Sequence, residues 1–198
     1  LGVNIRSSGG TVFAAEYFTE EVRREIVARY GEEALYEGGL SVRTTLDPKL
    51  QVMARAALHR GLIKFDEQQG YRGPYKTIDV SGDWGKALGD VENYYDLPEW
   101  KLATVLDITE EGIALGMQPG REASGALVED REQIKLTPEG FKWAMTLRIE
   151  DKRTKAKSFG DVFKVGDVVF VEKLEEGGWR LRQFPAVCGA LVAMHPPT

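Results

Sequence analysis

The stretch 38–51 constrains the fold more than any other part of the chain, because it places a strand pattern directly before a helix start. Within 40–46, apolar or β-branched residues occupy every second position, which predicts a strand with one buried face. Asp47 can accept hydrogen bonds from the free N–H groups of a first helical turn. Pro48 suits the first helical position, where no N–H is needed. The sequence therefore predicts a strand over 40–46 and a helix that begins at Pro48.

Two amphipathic helices are predicted in the first third of the chain. One runs from about Glu16 to Tyr30, since apolar residues recur four apart and Gly31 follows its end. The other continues from Pro48 and carries an apolar stripe that needs a partner surface. The stripe consists of Leu50, Met53, Ala54, Ala57, Leu58, Gly61, Leu62 and Phe65. Residues 1–13 show no such pattern and are predicted to be a connector.

From Arg72 to about Pro185 the pattern changes to short strands separated by turn residues, which is typical of a separate all-β module. Two hairpins are clear, each with a glycine-containing turn. Their strands are 100–108 with 113–117, and 168–174 with 179–184. A short helix is predicted over 83–91. About five short strands with glycine at the corners suit a small barrel, which closes its own edges.

Several motifs resemble the class A bifunctional penicillin-binding proteins of the 1a type. They are Gly-Gly-Leu-x-Val-x-Thr-Thr-Leu-Asp-Pro-x-Leu-Gln over 38–51, Ala56-Ala57-Leu58, Gly70-Tyr71-Arg72-Gly73-Pro74, and the run 187–196 with Gly-Ala-Leu-Val-Ala-Met. The resemblance is strong over both flanks and looser between them. In the last run, His195 stands where that family usually has an aspartate.

The resemblance implies a cell-wall synthase with a glycosyltransferase and a transpeptidase domain, and this chain would lie between them. It implies a linker over 1–71, an OB-like domain over 72–185, and the truncated first transpeptidase strand over 186–198. The expected fold class is mainly β with α, an OB-like small β-barrel inserted into a flanking helix and strand unit. We also expect strands 40–46 and 187–194 to pair in one small sheet.

The catalytic motifs of that family are missing from this sequence. The transpeptidase needs a serine with a lysine three residues later. None of the serines meets this requirement: Ser7, Ser8, Ser41, Ser81, Ser124 and Ser158. Lys76-Thr77 is followed by Ile78 instead of the glycine of Lys-Thr-Gly, and Glu129-Asp130 lacks the rest of the glycosyltransferase signature. We therefore expect no catalytic residue and no cofactor in this chain.

Charge and composition argue against other classes of site. The net charge is −5 and the pI about 5.3, whereas non-specific nucleic-acid binding draws most of its affinity from Lys and Arg. Four tryptophans fall on apolar-periodic positions: Trp84, Trp100, Trp143 and Trp179. His59 and His195 have no second ligand at metal spacing. No run of about 18 apolar residues occurs, so we expect no nucleic-acid, metal or membrane contact by this chain itself.

One basic patch is the candidate docking site, and it consists of Arg148, Lys152, Arg153, Lys155 and Lys157. Lysines often protect a solvated strand edge from pairing, and this is the alternative interpretation of the patch. The acidic residues at 110–111 and 129–132 form a second candidate surface. The single cysteine, Cys188, lies in an apolar strand pattern and is predicted to be a buried small hydrophobe.

The resemblance also implies partners and a location. The partners are the glycosyltransferase and transpeptidase domains of the same protein and an outer-membrane lipoprotein activator, on the periplasmic side of the bacterial inner membrane. Two other hypotheses remain open at this point. One is an independent barrel that binds saccharide or nucleic acid in an exposed aromatic groove. The other is a self-contained enzyme, which would need a pocket with a nucleophile and a base.

Overall fold

The structure is a computed structural model that describes residues 16–93, 100–150 and 152–186. The chain separates into two compact units with a boundary between Leu62 and Ile63. The connector 1–13, the strand 187–194, Cys188 and His195 lie outside the described residues.

The first unit contains the first helix, α1, over Glu16–Tyr36. The backbone breaks at Gly31, where φ is +83° and ψ is 167°, a conformation that glycine adopts without a Cβ penalty. The predicted end at Tyr30 was therefore wrong in part, because helical residues resume after Gly31. Glutamate and arginine pairs three and four positions apart cover its exposed face, as the sequence indicated.

The second helix, α2, runs over Pro48–Gln69, and its predicted start is confirmed. The Asp47 carboxylate accepts hydrogen bonds from the backbone N–H of Lys49 at 2.8 Å and of Leu50 at 3.3 Å. These bonds satisfy two of the four donors that a helix start leaves free.

The predicted strand over 40–46 was wrong, since residues 39–47 have no regular secondary structure. Leu40 and Val42 are 45% and 50% exposed. Alternation sets which face of a strand is buried, but a strand also needs a neighbour for its main-chain groups. None of the described strands lies beside this segment. The expected pairing with 187–194 involves residues outside the described part.

The buried face of α2 is rotated from the predicted stripe. Leu50, Met53 and Phe65 are exposed, whereas Gln51 and Ala54 are buried. Buried or half-buried residues recur at 51, 54, 58, 62 and 66, at the spacing of one helical face. Apolar residues therefore occupy part of the exposed face of α2. The last residue of the buried face is a carboxylate, Asp66.

The second unit holds the β-structure. Its strands are β1 Lys76–Thr77, β2 Trp100–Thr109, β3 Gly112–Met117, β4 Gln133–Leu136, β5 Thr146–Ile149, β6 Lys152–Lys155, β7 Asp167–Lys173 and β8 Trp179–Arg182. The main sheet has the order β1-β7-β2-β3-β4, with β8 also paired to β7, and β5 and β6 form a separate hairpin. All these pairings are antiparallel. Among the described strands, no pairing closes the sheet into a ring.

The predicted hairpins are confirmed as β2–β3 and β7–β8. The predicted short helix is α3, Trp84–Gly89, whose first turn is capped by the Asp83 carboxylate. The last α-helix among the described residues, α4, spans Pro138–Phe141, and two 3-10 helices follow it at Lys142–Met145 and Phe159–Asp161. No helix in the described part of the chain is long and apolar enough to cross a membrane.

The core of the second unit lies between the sheet, α4 and the β5–β6 hairpin. Its aromatic centre is formed by Phe141, Phe163 and Tyr71, with Phe141 and Phe163 ring centroids 5.3 Å apart and nearly perpendicular. Edge-to-face contacts of this kind add to the burial of apolar area. Trp100 is buried and the other three tryptophans are half-buried, so the described tryptophans serve the core, as their periodicity indicated.

Candidate functional site

A cluster of buried carboxylates and arginines joins the end of α2 to β8. We call it the helix-end clamp and define it as Asp66, Glu67, Arg72, Arg180, Arg182 and Gln183. The Asp66 side chain is 3% exposed and forms an ion pair with Arg72 at 2.5 Å. Its other oxygen, Oδ2, accepts a hydrogen bond from Gln183 Nε2 at 2.7 Å. The backbone N–H of Ala186 also donates to Oδ1, at 3.1 Å.

Gln183 extends the clamp to the main chain that follows α2. Its Oε1 accepts a hydrogen bond from the backbone N–H of Arg72 at 2.8 Å, and its Nε2 also donates to the Gly70 carbonyl at 3.3 Å. The Arg72 guanidinium donates to the Phe184 carbonyl at 2.5 Å. A buried amide with these partners has most of its hydrogen-bonding capacity satisfied.

Glu67 forms the second half of the clamp. Its carboxylate, on a side chain only 8% exposed, accepts from Arg180 Nη2 at 2.6 Å and from Arg182 Nη1 at 2.5 Å. Arg182 also pairs with Glu172 on β7, at 2.7 Å from its Nε. Buried charges are tolerated where each has such partners. The clamp therefore fixes the last turn of α2 against β7 and β8.

Sequence reasoning missed the clamp entirely. The bonds from Asp66 and Glu67 to β8 and the segment after it join residues 113 to 120 positions apart. The only signal was two adjacent carboxylates on the buried face of a helix, since Asp and Glu are rarely buried unless they are paired.

Tyr71 directly precedes Arg72 of the clamp and belongs to the buried core of the second unit. Its backbone N–H donates to the Thr146 carbonyl at 2.7 Å, and its carbonyl accepts from the Arg148 N–H at 2.8 Å. Burial raises the pKa of the Tyr71 phenol, and the nearby Asp167 carboxylate raises it further. Burial also raises the pKa of Asp167. The phenol therefore favours its neutral form, and its ring packs against Trp143 and Phe163.

The structure brings the five basic candidates together on and beside one hairpin. We call residues 146–157 the basic hairpin. Arg148 lies on β5 directly opposite Arg153 on β6, and Lys152 and Lys155 occupy the two ends of β6. Lys157 follows β6 and is exposed, as is every residue of β6. Arg153 Nη1 donates to the carbonyl of Gln68 at 3.5 Å, a favourable position for a cation at a helix C-terminus.

The alternative acidic surface is partly neutralised. Arg131 lies within 129–132 and forms an ion pair with Asp83 at 2.9 Å, and Glu111 pairs with Lys135 at 2.7 Å. The Arg131 hydrogen bond is the main reason that the pKa of Asp83 is lowered from 3.8 to about 2. Among the described residues, no group of three metal-ligating side chains is close enough to hold an ion.

Comparison with known proteins agrees with this architecture. Residues 71–187 match the family model of the penicillin-binding protein OB-like domain. The chain therefore belongs to the penicillin-binding protein OB-like domain family. The resemblance to penicillin-binding proteins of the 1a type and the OB-like fold class are both confirmed.

The relatives point to one kind of protein. The chain is 34% identical over 185 residues to penicillin-binding protein 1A of Rickettsia prowazekii, covering 93% of this chain and 21% of the relative. It is 31% identical to the Pseudomonas aeruginosa protein of that name, with 92% and 21% covered. The crystal structure of penicillin-binding protein 1A from Haemophilus influenzae matches with a TM-score of 0.54 and 28% identity, over 87% of this chain and 23% of that one. The chain thus spans about a fifth of these curated relatives.

Proposed function

We propose that this chain is the non-catalytic linker and OB-like region of a bifunctional peptidoglycan synthase. In this role it spaces the glycosyltransferase and transpeptidase domains and offers a docking surface to partners. The observation that carries the proposal is the match of 71–187 to the OB-like family, within an alignment that covers about a fifth of the 1A relatives. No serine in the sequence has a lysine three residues later, which supports a role without acyl-transfer chemistry.

The spacer role is supported by the helix-end clamp. A spacer must hold its attachment points in a fixed geometry, and an ordinary surface loop does not do so. Here Asp66 and Glu67 attach the last turn of α2 to β8 and to the segment that follows it. The chain therefore enters and leaves the OB-like unit at neighbouring positions, as expected for a domain inserted into a flanking unit.

The docking role is supported by the basic hairpin. Its exposed cations stand out in a chain of net charge −5. Complementary charge steers partners and sets their orientation. The proposed partners are the two catalytic domains of the parent protein and an outer-membrane lipoprotein activator. The proposed location is the periplasmic side of the inner membrane.

The first experiment tests the absence of acyl-transfer chemistry. The purified chain is incubated with a fluorescent penicillin beside the full-length parent protein, and both are separated under denaturing conditions. We expect a labelled band for the parent and none for the chain, since a covalent adduct needs the activated serine. A labelled band for the chain would contradict the proposal.

The second experiment tests docking in the full-length parent. The rate of peptidoglycan synthesis is measured with and without the purified lipoprotein activator, and the ratio of the two rates is compared between variants. A Lys152→Gln, Lys155→Gln, Lys157→Gln variant is expected to lose most of the stimulation. The matched control replaces three exposed lysines elsewhere: Lys86, Lys101 and Lys142. Equal stimulation in both triple variants would remove the basic hairpin as the docking surface.

A further inference from the structure

The outer edge of β6 is open in the described part of the structure. On its inner side, β6 pairs with β5, and the other edge of β5 is occupied by Tyr71. No described strand pairs with the outer side of β6. All four residues of β6 are exposed. An open edge of this kind presents unpaired N–H and C=O groups that can bind another extended chain.

The hydrogen bonds identify which residues face outward. The Arg148 N–H and the Thr146 carbonyl point towards Tyr71. Because main-chain groups alternate sides along a strand, Leu147 and Ile149 must face β6. The register then turns their partners, Thr154 and Lys152, inward. The bond from the Ala156 N–H to the Met145 carbonyl, at 2.8 Å, fits the same alternation.

The outward main-chain groups therefore belong to Arg153 and Lys155, which are both basic. Arg148 lies opposite Arg153 and Thr146 opposite Lys155. These two pairs are not hydrogen-bonded, so their Cα atoms are about 4.5 Å apart and their side chains share one face. Arg153 and Lys155 lie two positions apart on β6, so their side chains place two exposed positive charges on this face. This face therefore favours an anionic neighbour.

We propose that β6 binds an extended acidic peptide as an added strand. The incoming segment, about five residues long, pairs with the N–H and C=O groups of Arg153 and Lys155. Its alternate carboxylates lie beside Arg153 and Lys155. This inference deepens the docking role proposed above and rests on it. Lysines on an edge normally discourage pairing with neutral or basic strands, whereas an acidic strand matches them.

The first test uses peptides on the 198-residue chain. The probe is a capped hexapeptide in which glutamate alternates with valine. Two control peptides carry N-methyl groups on the glutamates only or on the valines only, so that charge is kept while one set of N–H donors is lost. Amide NMR should show slower hydrogen exchange, at least tenfold, at Arg153 and Lys155 with the unmodified peptide. One N-methylated peptide should bind at least tenfold more weakly and the other nearly as well.

Three outcomes of the peptide test would overturn strand addition. In the first, both N-methylated peptides bind as well as the unmodified one, so that the attraction is purely electrostatic. In the second, no peptide binds at millimolar concentration. In the third, sedimentation of the chain alone shows a dimer that disappears when Lys155 is replaced by proline, so that the edge pairs with a second copy instead.

The second test separates main-chain pairing from charge. Lys155→Pro removes an outward N–H and leaves the inner ladder with β5 in place, since proline is tolerated on an edge that faces solvent. Lys155→Gln removes the charge and keeps the N–H. We expect at least tenfold weaker peptide binding for Lys155→Pro at every salt concentration, and a smaller, salt-dependent loss for Lys155→Gln. Lys86→Gln is the control that should not change binding.

Retained amide resonances of Leu147 and Thr154 would show that the Lys155→Pro hairpin is intact. Unchanged peptide affinity in that variant would overturn the proposal.

The docking role and strand addition to β6 can also fail separately. If the lysine triple variant loses activator stimulation while both N-methylated peptides bind normally, docking stands and strand addition falls. If the peptide adds to β6 but stimulation is unaffected in that variant, the docking role falls.

Discussion

The Tyr71 hydroxyl is buried in the core, and its oxygen has no hydrogen-bond partner among the described residues. Burying an unpaired hydroxyl costs free energy, whereas the ring gains contacts with Trp143 and Phe163. We therefore expect Tyr71→Phe to raise the free energy of unfolding by about 1 kcal/mol. Urea unfolding followed by tryptophan fluorescence measures this change. A loss of stability in this variant would indicate that the hydroxyl has a partner.

Replacing Glu67 is expected to lower the free energy of unfolding. Replacing it with glutamine leaves Arg180 and Arg182 facing a neutral amide in a place where the side chain is 8% exposed. Since the arginines are 40% and 15% exposed and can be partly hydrated, we expect a loss of about 2 kcal/mol, below the full cost of breaking a buried pair. Glu175→Gln, in the exposed turn between β7 and β8, is the control and should change stability by less than about 0.5 kcal/mol. Equal values for the two variants would contradict the clamp.

The ion pair of Asp83 with Arg131 should make the folded chain less stable at low pH. Its pKa is lowered from 3.8 to about 2, first by the hydrogen bond from Arg131. A carboxylate with a lowered pKa stabilises the folded chain above its unfolded pKa, and this contribution is lost as the pH falls. Stability should therefore decrease between about pH 4 and pH 2. The pKa of the Asp83 carboxyl, measured by NMR titration, should rise towards its usual value in Arg131→Gln and stay low in Arg121→Gln. An unchanged titration in Arg131→Gln would rule out this cause.

At the level of elements, Gly70 connects α2 to the residue that pairs with β5. Its φ is +104°, and a Cβ built there would lie 2.8 Å from the Thr146 carbonyl oxygen. Gly70→Ala should therefore destabilise the chain by about 2 kcal/mol, through both strain and the displaced hairpin. Gly82→Ala is the matched control, because no atom lies within 4 Å of its Cβ position. Denaturant midpoints compare the two variants, and equal shifts would contradict the argument.

The sequence predicted elements well where local chemistry decides them. Asp47 and Pro48 mark the start of α2, and glycine-containing turns mark the two hairpins of the main sheet. It failed where a distant neighbour decides. The alternation over 40–46 describes a possible face, but a strand forms only if a second strand supplies hydrogen bonds. The predicted buried face of α2 was wrong for a related reason, because the partners of Asp66 include Gln183 and Ala186, which lie more than 100 positions further along the chain.

The candidate docking residues were found from charge, but their arrangement was not. A run of cations in sequence does not reveal that Arg148 lies opposite Arg153, or that Arg153 and Lys155 turn their main-chain groups outward. Both facts follow from the register of β5 with β6 and from the pairing of β5 with Tyr71. Register depends on the turn and on the neighbouring residues of the core, which a single sequence describes poorly.

At the scale of the molecule, the second compact unit begins at Ile63, whereas the OB-like family model begins at residue 71. The difference contains Asp66 and Glu67, the two carboxylates of the clamp. In a chain that begins at residue 71, Arg72 and Arg182 lack these buried carboxylates as partners. The last turn of α2 therefore belongs to the OB-like unit in energetic terms.

Two shortened chains test this boundary. We expect the chain 71–186 to have a free energy of unfolding lower than that of 63–186 by about 3 kcal/mol or more, because removing one partner of a buried ion pair is costly. Tryptophan fluorescence in urea measures both, since all four tryptophans lie between residues 84 and 179. The control is 63–186 with Asp66→Asn and Glu67→Gln. This variant should show most of the same loss of stability if the carboxylates, and not the helical turn alone, stabilise the unit. If 71–186 is as stable as 63–186, the clamp contributes nothing and the unit begins at Tyr71.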